Sequence, residues 1–270
     1  MPHHPWTTRG ILNPQFGETH FDLTRHEPAP DLGFFIAHYW IIRWNLETPY
    51  SQEVLPYPSV HAVFESGNSR VYGVVSGKFI RQIAGQGMVF GLKFRPGAFH
   101  PFWHLPVAGL TDRSIDVREV FGAEAGSLET AILNGRTDEA MIGLVEGFLR
   151  ARLPDADPRI PQINAIVDAV AADRRILKVE DVADRFGLHP RTLQRLFNQY
   201  VGVSPKWVIQ RYRLHEAAEQ VADDAAANWA KLAQDLGYFD QAHFIRDFKA
   251  MIGSTPAEYA RQTHPDSPLS

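Results

Sequence analysis

The chain has 270 residues, of which 44% are hydrophobic and 21% are charged, and it contains no cysteine. This composition provides enough apolar residues for a folded core and excludes a disordered chain or a disulfide-stapled scaffold. The absence of cysteine also excludes thiol catalysis, thiolate zinc sites and iron–sulfur clusters. The formal charge of −4 gives no sign of a polyanionic partner, and the length fits two domains.

The first residues do not have the pattern of a secretory signal. Met1–Trp6 contains no basic region, and no apolar stretch with a small-residue cleavage site follows it. No apolar run in the chain approaches the length of a membrane helix, which is about 18 residues. The sequence therefore predicts a cytoplasmic protein with no membrane partner.

Residues 32–106 have the pattern of short strands, because β-branched and aromatic residues are interrupted at short intervals by turn-forming residues. Turns are predicted at Ser66–Asn68, at Ser76–Gly77 and at Gly85–Gly87. Short strands at close spacing favour an antiparallel barrel or sandwich. The predicted strands are Phe34–Trp44, His61–Phe64, Arg70–Val75, Gly77–Ile83 and Met88–Phe94.

From about residue 114 the pattern becomes helical. Helices are predicted at Leu128–Leu133 and at Asp138–Arg152, the second with Thr137 as its N-cap. Leu153–Pro161 contains three prolines and two aspartates, a composition that resists helix and sheet and predicts a linker. The predicted fold class is α+β. The predicted divisions are a β-rich domain (1–153), a linker (154–161), an all-α domain (162–262) and a tail (263–270).

The charge is distributed unevenly along the chain. Residues 1–158 carry the whole deficit of −4, whereas residues 159–270 are neutral. A basic patch without acidic residues is typical of a nucleic-acid-binding surface, and a solvated basic face without a partner is an equally weighted alternative. The stretch Arg185–Arg213 is such a patch, since it contains no acid and six basic residues: Arg185, Arg191, Arg195, Lys206, Arg211 and Arg213.

The second half of the chain contains an internal repeat. Ala183 and Gly187 recur 50 residues later, and Arg195, Phe197 and Pro205 recur 51 residues later. The alanine permits the close approach of a second helix, and the glycine ends the first helix with a positive φ. The repeat therefore predicts two helix-turn-helix motifs.

The second helix of each motif carries polar side chains that suit base recognition. Leu193, Leu196 and Phe197 have helical spacing and are predicted to face the core. Arg, Gln and Asn side chains form two-point hydrogen bonds with base edges in a major groove. The residues predicted to point outward are Arg191, Thr192, Gln194, Arg195 and Asn198 in the first motif, and Gln241, Ala242, His243, Ile245 and Arg246 in the second.

A helix over Pro205–Ala222 is predicted to connect the two motifs. Its length of roughly 26 Å could hold two recognition helices near the ~34 Å that separates successive major-groove turns. Lys206 and Arg211 on this helix complete the predicted DNA-binding set.

The segment from about Ile160 to Gln262 resembles the C-terminal DNA-binding domain of the AraC/XylS family of bacterial transcription regulators. The most specific stretches are Gly237–Lys249 and Gly253–Tyr259. Lys178 and His189 depart from the family pattern, which has small hydroxyl or amide caps there, so less well capped helix starts are expected. The resemblance implies a regulator that is not an enzyme, with base-reading positions at Arg191, Gln194, Arg195, Gln241, His243 and Arg246.

In this family the N-terminal part commonly senses an effector, dimerises, or does both, and many members carry a cupin-like barrel there. For the aromatic candidates, plain core packing is the favoured alternative to ligand binding. Arg95 either binds an anion or caps a turn before Pro96. No metal site and no cofactor are predicted. The candidate ligand-binding residues are His38, Trp40, Trp44, His61 and Arg95.

Three hypotheses remain open at this point. The first is a sequence-specific regulator with a ligand-sensing N-terminal domain. The second is a cupin-like metal-binding or enzymatic domain with an appended DNA-binding domain, and the third is an N-terminal domain used only for dimerisation. The candidate partners are double-stranded DNA, a small-molecule effector and RNA polymerase, and the protein is either a monomer or a homodimer.

Overall fold

A computed structural model of the chain describes residues 20–54, 56–223 and 229–263. The prediction for Met1–Trp6 and nearly all of the predicted tail lie outside these residues. Within the described ranges, no helix is both long and apolar enough to cross a membrane.

The first half of the chain forms an antiparallel sheet of six strands in the order β1-β2-β5-β3-β4-β6. This arrangement confirms the antiparallel β-rich domain and the α+β class. Among the described pairings, none joins the two edge strands β1 and β6. The strands are β1 (Asp22–His26), β2 (Ile36–Val54), β3 (His61–Phe64), β4 (Arg70–Tyr72), β5 (Phe79–Phe94) and β6 (Ser114–Asp116).

Strand β5 corrects one prediction, because it joins Gly77–Ile83 and Met88–Phe94 into one element. The turn predicted at Gly85–Gly87 does not form. Gly85 has a φ of +59°, and the β2–β5 register shifts between Leu46 and Tyr50. A glycine with positive φ inside a strand forms a bulge and leaves the strand continuous.

One face of the sheet packs against helices and forms the apolar core. Tyr39 and Ile41 on β2, and Phe90, Leu92 and Phe94 on β5, are at most 1% exposed. The alternation of side chains along each strand puts these residues on one face. The elements that complete the first half are α1 (His100–Trp103), a 3₁₀ turn (Val107–Leu110), α2 (Val117–Phe121), α3 (Glu124–Leu133) and α4 (Asp138–Arg150).

Helix α4 begins as predicted. The hydroxyl of Thr137 accepts a hydrogen bond from the N–H of Ala140 at 3.2 Å, which confirms the predicted N-cap.

The described residues of the second half form helices joined by turns. One of its two apolar cores lies around Leu193 and Phe197, and the other lies around Phe244 and Phe248. Helix α8 contributes residues to both cores. The helices are α5 (Arg159–Ala172), α6 (Val179–Phe186), α7 (Pro190–Tyr200), α8 (Pro205–Asp223), α9 (Trp229–Asp235), α10 (Gln241–Ile252) and α11 (Pro256–Thr263).

The predicted linker is tied to both halves of the molecule. Helix α5 begins inside it, with Pro161 in the first turn, where a missing backbone N–H breaks no helical hydrogen bond. Ile160 is 1% exposed and belongs to the core of the first half. The hydroxyl of Tyr200 donates to Asp157 at 2.6 Å. This segment therefore packs as part of the structure, and the domain boundaries stay a prediction.

The two halves also contact each other directly. The indole N–H of Trp207 on α8 donates to the carbonyl of Ser76 at 2.8 Å. The ring of Tyr200 lies 4.2 Å from the ring of His100, measured between centroids. The hydroxyl of Thr111 donates to the carbonyl of Gly202. These contacts dock the helical half on the sheet domain.

Candidate nucleic-acid interface

The first helix-turn-helix motif is formed by α6 and α7. Gly187 ends α6 in the left-handed conformation, with a φ of 62°, and α7 begins three residues later at Pro190. The imidazole of His189 accepts a hydrogen bond from the N–H of Arg191 at 3.2 Å. Asp181 accepts hydrogen bonds from the N–H of Leu177 and from that of Lys178, each at 2.8 Å.

The hydrogen bond from Arg191 corrects the expectation of a poorly capped helix start at His189, whereas the side chain of Lys178 caps no helical N–H, as expected. At His189 an imidazole nitrogen replaces the usual hydroxyl or amide oxygen. At Lys178 the carboxylate of Asp181, the third helical residue, accepts from the N–H groups of Leu177 and Lys178, which precede the helix. Its negative charge is favourable near the positive end of the helix dipole.

Helix α7 turns its polar side chains to solvent. Leu193 and Phe197 are at most 1% exposed and hold the helix against the core. Helix α7 contains no acidic residue, so its solvent-exposed face attracts a polyanion. The exposed residues of this face are Arg191, Thr192, Gln194, Arg195 and Asn198.

The second motif repeats this geometry in α9 and α10. Gly237 has a φ of 76°, and Asp240 caps α10 by accepting the N–H of His243 at 2.7 Å. Gln241 and Arg246 are exposed. His243 is half-buried, and its Nε2 lies 3.4 Å from the carboxylate of Asp247.

Phe239 is a residue of this motif to which sequence reasoning gave no role. Its side chain is 98% exposed, directly before the N-cap of α10. A large aromatic residue in a turn, outside the helical spacing of the core residues, was the available signal. Its position places an apolar side chain beside the candidate base-reading face.

Helix α8 corrects the prediction for Arg211. Lys206 is exposed as expected, but Arg211 is only 1% exposed. The Nε of Arg211 donates to the carbonyl of Pro56 at 2.8 Å, and its guanidinium lies 4.0 Å from the centroid of the Tyr57 ring. Because Arg211 lies between the two halves, it does not reach a DNA phosphate in this arrangement.

The basic patch predicted over Arg185–Arg213 is therefore smaller than the sequence indicates. Arg213 is 2% exposed and donates to the backbone carbonyls of Val170 and Asp173. Arg185 donates to the carboxylate of Asp173 at 2.9 Å. The members that remain exposed and away from these contacts are Arg191, Arg195 and Lys206.

The candidate ligand residues of the first half fall into two groups. His38, Trp40 and His61 lie together, and the Nε1 of Trp40 is 3.3 Å from the Nδ1 of His61. Trp44 lines a separate open pocket of about 550 Å³. Arg95 is exposed, and its Nε donates to the carbonyl of Gly33 at 2.6 Å, a bond to a distant segment that leaves both alternatives for Arg95 open.

The buried basic groups near His38 have altered ionisation. Burial lowers the pKa of His38 to about 3 and lowers the pKa of His61 well below its usual value. Burial and the neighbouring Arg211 and Arg25 lower the pKa of Lys93 to about 7. Sequence reasoning missed Arg25, Lys93 and Tyr57. The strand register brings Arg25 and Lys93 to the histidines, and Tyr57 reaches Lys93 from the loop between β2 and β3.

Two family models match separate parts of the chain. Residues 24–116 match a domain of unknown function (DUF6597). Residues 182–262, which include α7 and α10, match a helix-turn-helix domain.

Several curated proteins are similar to part of the chain. The uncharacterized HTH-type transcriptional regulator YfiF of Bacillus subtilis is 28% identical over 150 residues, which cover 53% of this chain and 47% of that protein. The HTH-type transcriptional activator RhaS of Escherichia fergusonii is 35% identical over 81 residues, which cover 29% of this chain and 28% of that protein. The chain thus spans less than half the length of these relatives.

One similar solved structure is an AraC-type transcriptional regulator from Chromobacterium violaceum. It is 24% identical, covers 40% of this chain and 96% of its own, and has a TM-score of 0.35, a value too low to establish a common fold. The family match and the curated relatives agree with the two observed helix-turn-helix motifs. Residues 182–262 are thus similar to the helix-turn-helix domain of AraC-type transcription regulators.

Proposed function

We propose that this protein is a sequence-specific, double-stranded DNA-binding regulator of transcription. The observation that carries the proposal is the pair of capped helices, α7 and α10, that expose Arg and Gln side chains on two repeated motifs. Such side chains discriminate bases in the major groove. Both motifs share α8, so one chain presents two reading helices.

The charge distribution favours base contacts over general attraction to DNA. The helical half is electrically neutral over residues 159–270, and two of its arginines are buried. A protein with few exposed cations releases few counterions on binding and depends less on the phosphate backbone. Affinity for a particular sequence then comes from Arg191, Gln194 and Arg195 on α7, and from Gln241, His243 and Arg246 on α10.

The proposal assigns the sheet domain a role in ligand sensing and no catalytic role. In the part of the chain that the structure describes, no three His, Asp or Glu side chains lie together as a metal site. A DNA-binding function places the protein in the cytoplasm.

Selection of binding sites from random duplex DNA tests the proposal. We expect the full-length protein to enrich a site with two elements whose centres lie about one helical turn apart, roughly 10 base pairs, since two reading helices occupy successive major grooves. The control is the same selection with the Arg195→Ala, Arg246→Ala double variant. Failure of the wild-type protein to enrich any sequence would remove the proposed function.

A further inference from the structure

A row of basic side chains crosses the face of the sheet that lies opposite the apolar core. His38 on β2 pairs with Lys93 on β5, and Lys93 pairs in turn with His61 on β3. Residues that are directly opposite in neighbouring antiparallel strands project to the same face. Arg25 on β1 pairs with Trp40, which lies two residues after His38 and therefore on the same face.

Helix α8 of the helical half closes this face and brings a further cation. The Nζ of Lys93 lies 3.8 Å from the centroid of the Tyr57 ring. The guanidinium of Arg211 lies 4.0 Å from the same centroid. One aromatic ring therefore contacts two cations, one from each half of the molecule.

Among the described residues, the charged groups that shift the pKa of Lys93 include no anion. The charged groups that act most strongly on Lys93 are Arg211 and Arg25, and both disfavour its protonated form. The Nη2 of Arg211 is buried without a hydrogen-bond partner. Burial of an unpaired charge is costly, and a bound anion removes most of that cost.

We propose that this face binds the carboxylate of a small organic anion, held between Lys93 of the sheet domain and Arg211 of α8. The indole of Trp40 provides a flat apolar surface for the body of the ligand. Gly91 leaves room for the Trp40 indole, because a Cβ atom there would lie 2.0 Å from it. This site is separate from the DNA-reading helices and does not depend on the proposed DNA-binding function.

The proposed site has a regulatory consequence. Arg211 belongs to the helix that connects the two helix-turn-helix motifs, so a carboxylate that binds both Arg211 and Lys93 stabilises the docked arrangement of the two halves. Ligand binding is then coupled to the orientation of the motifs by the difference in ligand affinity between docked and undocked states.

Binding of two model carboxylates to the full-length protein tests this site in the absence of DNA. Benzoate and octanoate, with their neutral amides as controls, are titrated by calorimetry and by thermal melting. We expect at least one carboxylate to bind and raise the Tm, and neither amide to do so. Lys93→Met and Arg211→Met each weaken the carboxylate at least tenfold, whereas the exposed-site control Arg118→Met leaves its affinity unchanged.

Two outcomes would overturn the proposed site. One is that neither carboxylate binds the wild-type protein. The other is that binding survives in both Lys93→Met and Arg211→Met. Because no DNA is present, either result leaves the proposed DNA-binding function standing, and loss of DNA binding leaves the anion site standing.

The ligand-free stability of Lys93→Met provides an independent test. The pKa of Lys93 is about 7 in the folded protein, whereas its ordinary value is 10.5. Between these two pH values, Lys93 therefore takes up a proton when the protein unfolds. The free energy of unfolding of the wild type therefore rises as the pH rises through this range. The destabilisation caused by burying Lys93 is largest below about pH 7. The groups that face Lys93 are Arg25, His38, His61, Tyr57 and Arg211.

We therefore expect Lys93→Met to raise the Tm of the ligand-free protein, with a larger increase at about pH 6 than at about pH 9. The methionine keeps the apolar stem and removes the charge. A Tm below that of the wild type at about pH 6 would show that Lys93 is already neutralised in the fold, which contradicts an open anion site.

Discussion

Replacing Arg195 or Arg246 by alanine is expected to cost about 1–3 kcal/mol of the free energy of binding to the selected DNA site. Both side chains are exposed on the reading face of α7 and α10. Because each is proposed to pair with one base, each variant also loses its preference at one position of the site. Fluorescence anisotropy with a labelled duplex and single-base variants of it measures both effects.

Two control variants separate base reading from general electrostatics. Arg118→Ala removes an exposed arginine from the sheet domain and leaves binding unchanged. Lys206→Ala weakens binding to all sequences alike and lowers the salt dependence by about one charge. If Arg195→Ala likewise weakens binding to all sequences alike and lowers the salt dependence, the Arg195 side chain contacts phosphate, and its assignment to base reading is wrong.

The two losses are expected to add in the double variant. Arg195 and Arg246 lie on different helices in different motifs, and distant substitutions usually add within a few tenths of a kcal/mol. The double variant is expected to lose roughly 2–6 kcal/mol of the free energy of binding to the selected DNA site. A double variant no weaker than either single variant would mean that only one motif contacts DNA.

Phe244→Ala is expected to destabilise the protein by about 3–5 kcal/mol. Its side chain is 0% exposed, and its ring centroid lies 5.5 Å from that of Tyr238 and 5.7 Å from that of Phe248. The truncation removes apolar contacts and leaves a cavity between α10 and the core of the second motif. Urea denaturation, monitored by circular dichroism, measures the loss.

The matched control is Phe239→Ala, five residues earlier in the chain. The two substitutions remove the same atoms, but Phe239 is 98% exposed, so its truncation changes the free energy of unfolding by no more than about 0.5 kcal/mol. Equal destabilisation by the two variants would contradict the packing described for α10.

The helix-turn-helix motifs were predictable from sequence because their constraints are local. A glycine with positive φ, an N-cap and a core residue every three or four positions all lie within about 20 residues of each other. Asp240, a residue type favoured at the N-cap, caps α10 in this way. The same local spacing identified the outward face of α7 and the exposed Gln241 and Arg246 of α10. It was wrong for Ile245, which packs partly against the core of the second motif.

The glycines of β5 show where local signals mislead. Gly87 is part of a predicted turn, yet it lies in mid-strand. A Cβ atom at this position would lie 2.3 Å from the Trp44 indole. Its lack of a side chain thus makes room for a cross-strand aromatic residue, a reason visible only once the β2–β5 register is known.

The position of Arg211 depended on contacts between distant parts of the chain. Sequence spacing places it on an amphipathic helix with Lys206, and no local signal distinguishes a DNA-facing arginine from one that faces another domain. The contacts with Pro56 and Tyr57 are separated from Arg211 by more than 150 residues. Lys93 and the two histidines are brought together in the same way, by strand register.

The most direct test of the central claim is the ratio of two affinities. The full-length protein is titrated with its selected duplex and with a scrambled duplex of equal length and composition, at about 0.15 M salt. The two reading helices predict at least about a thousandfold tighter binding to the selected site. A ratio near one would contradict sequence-specific recognition by α7 and α10.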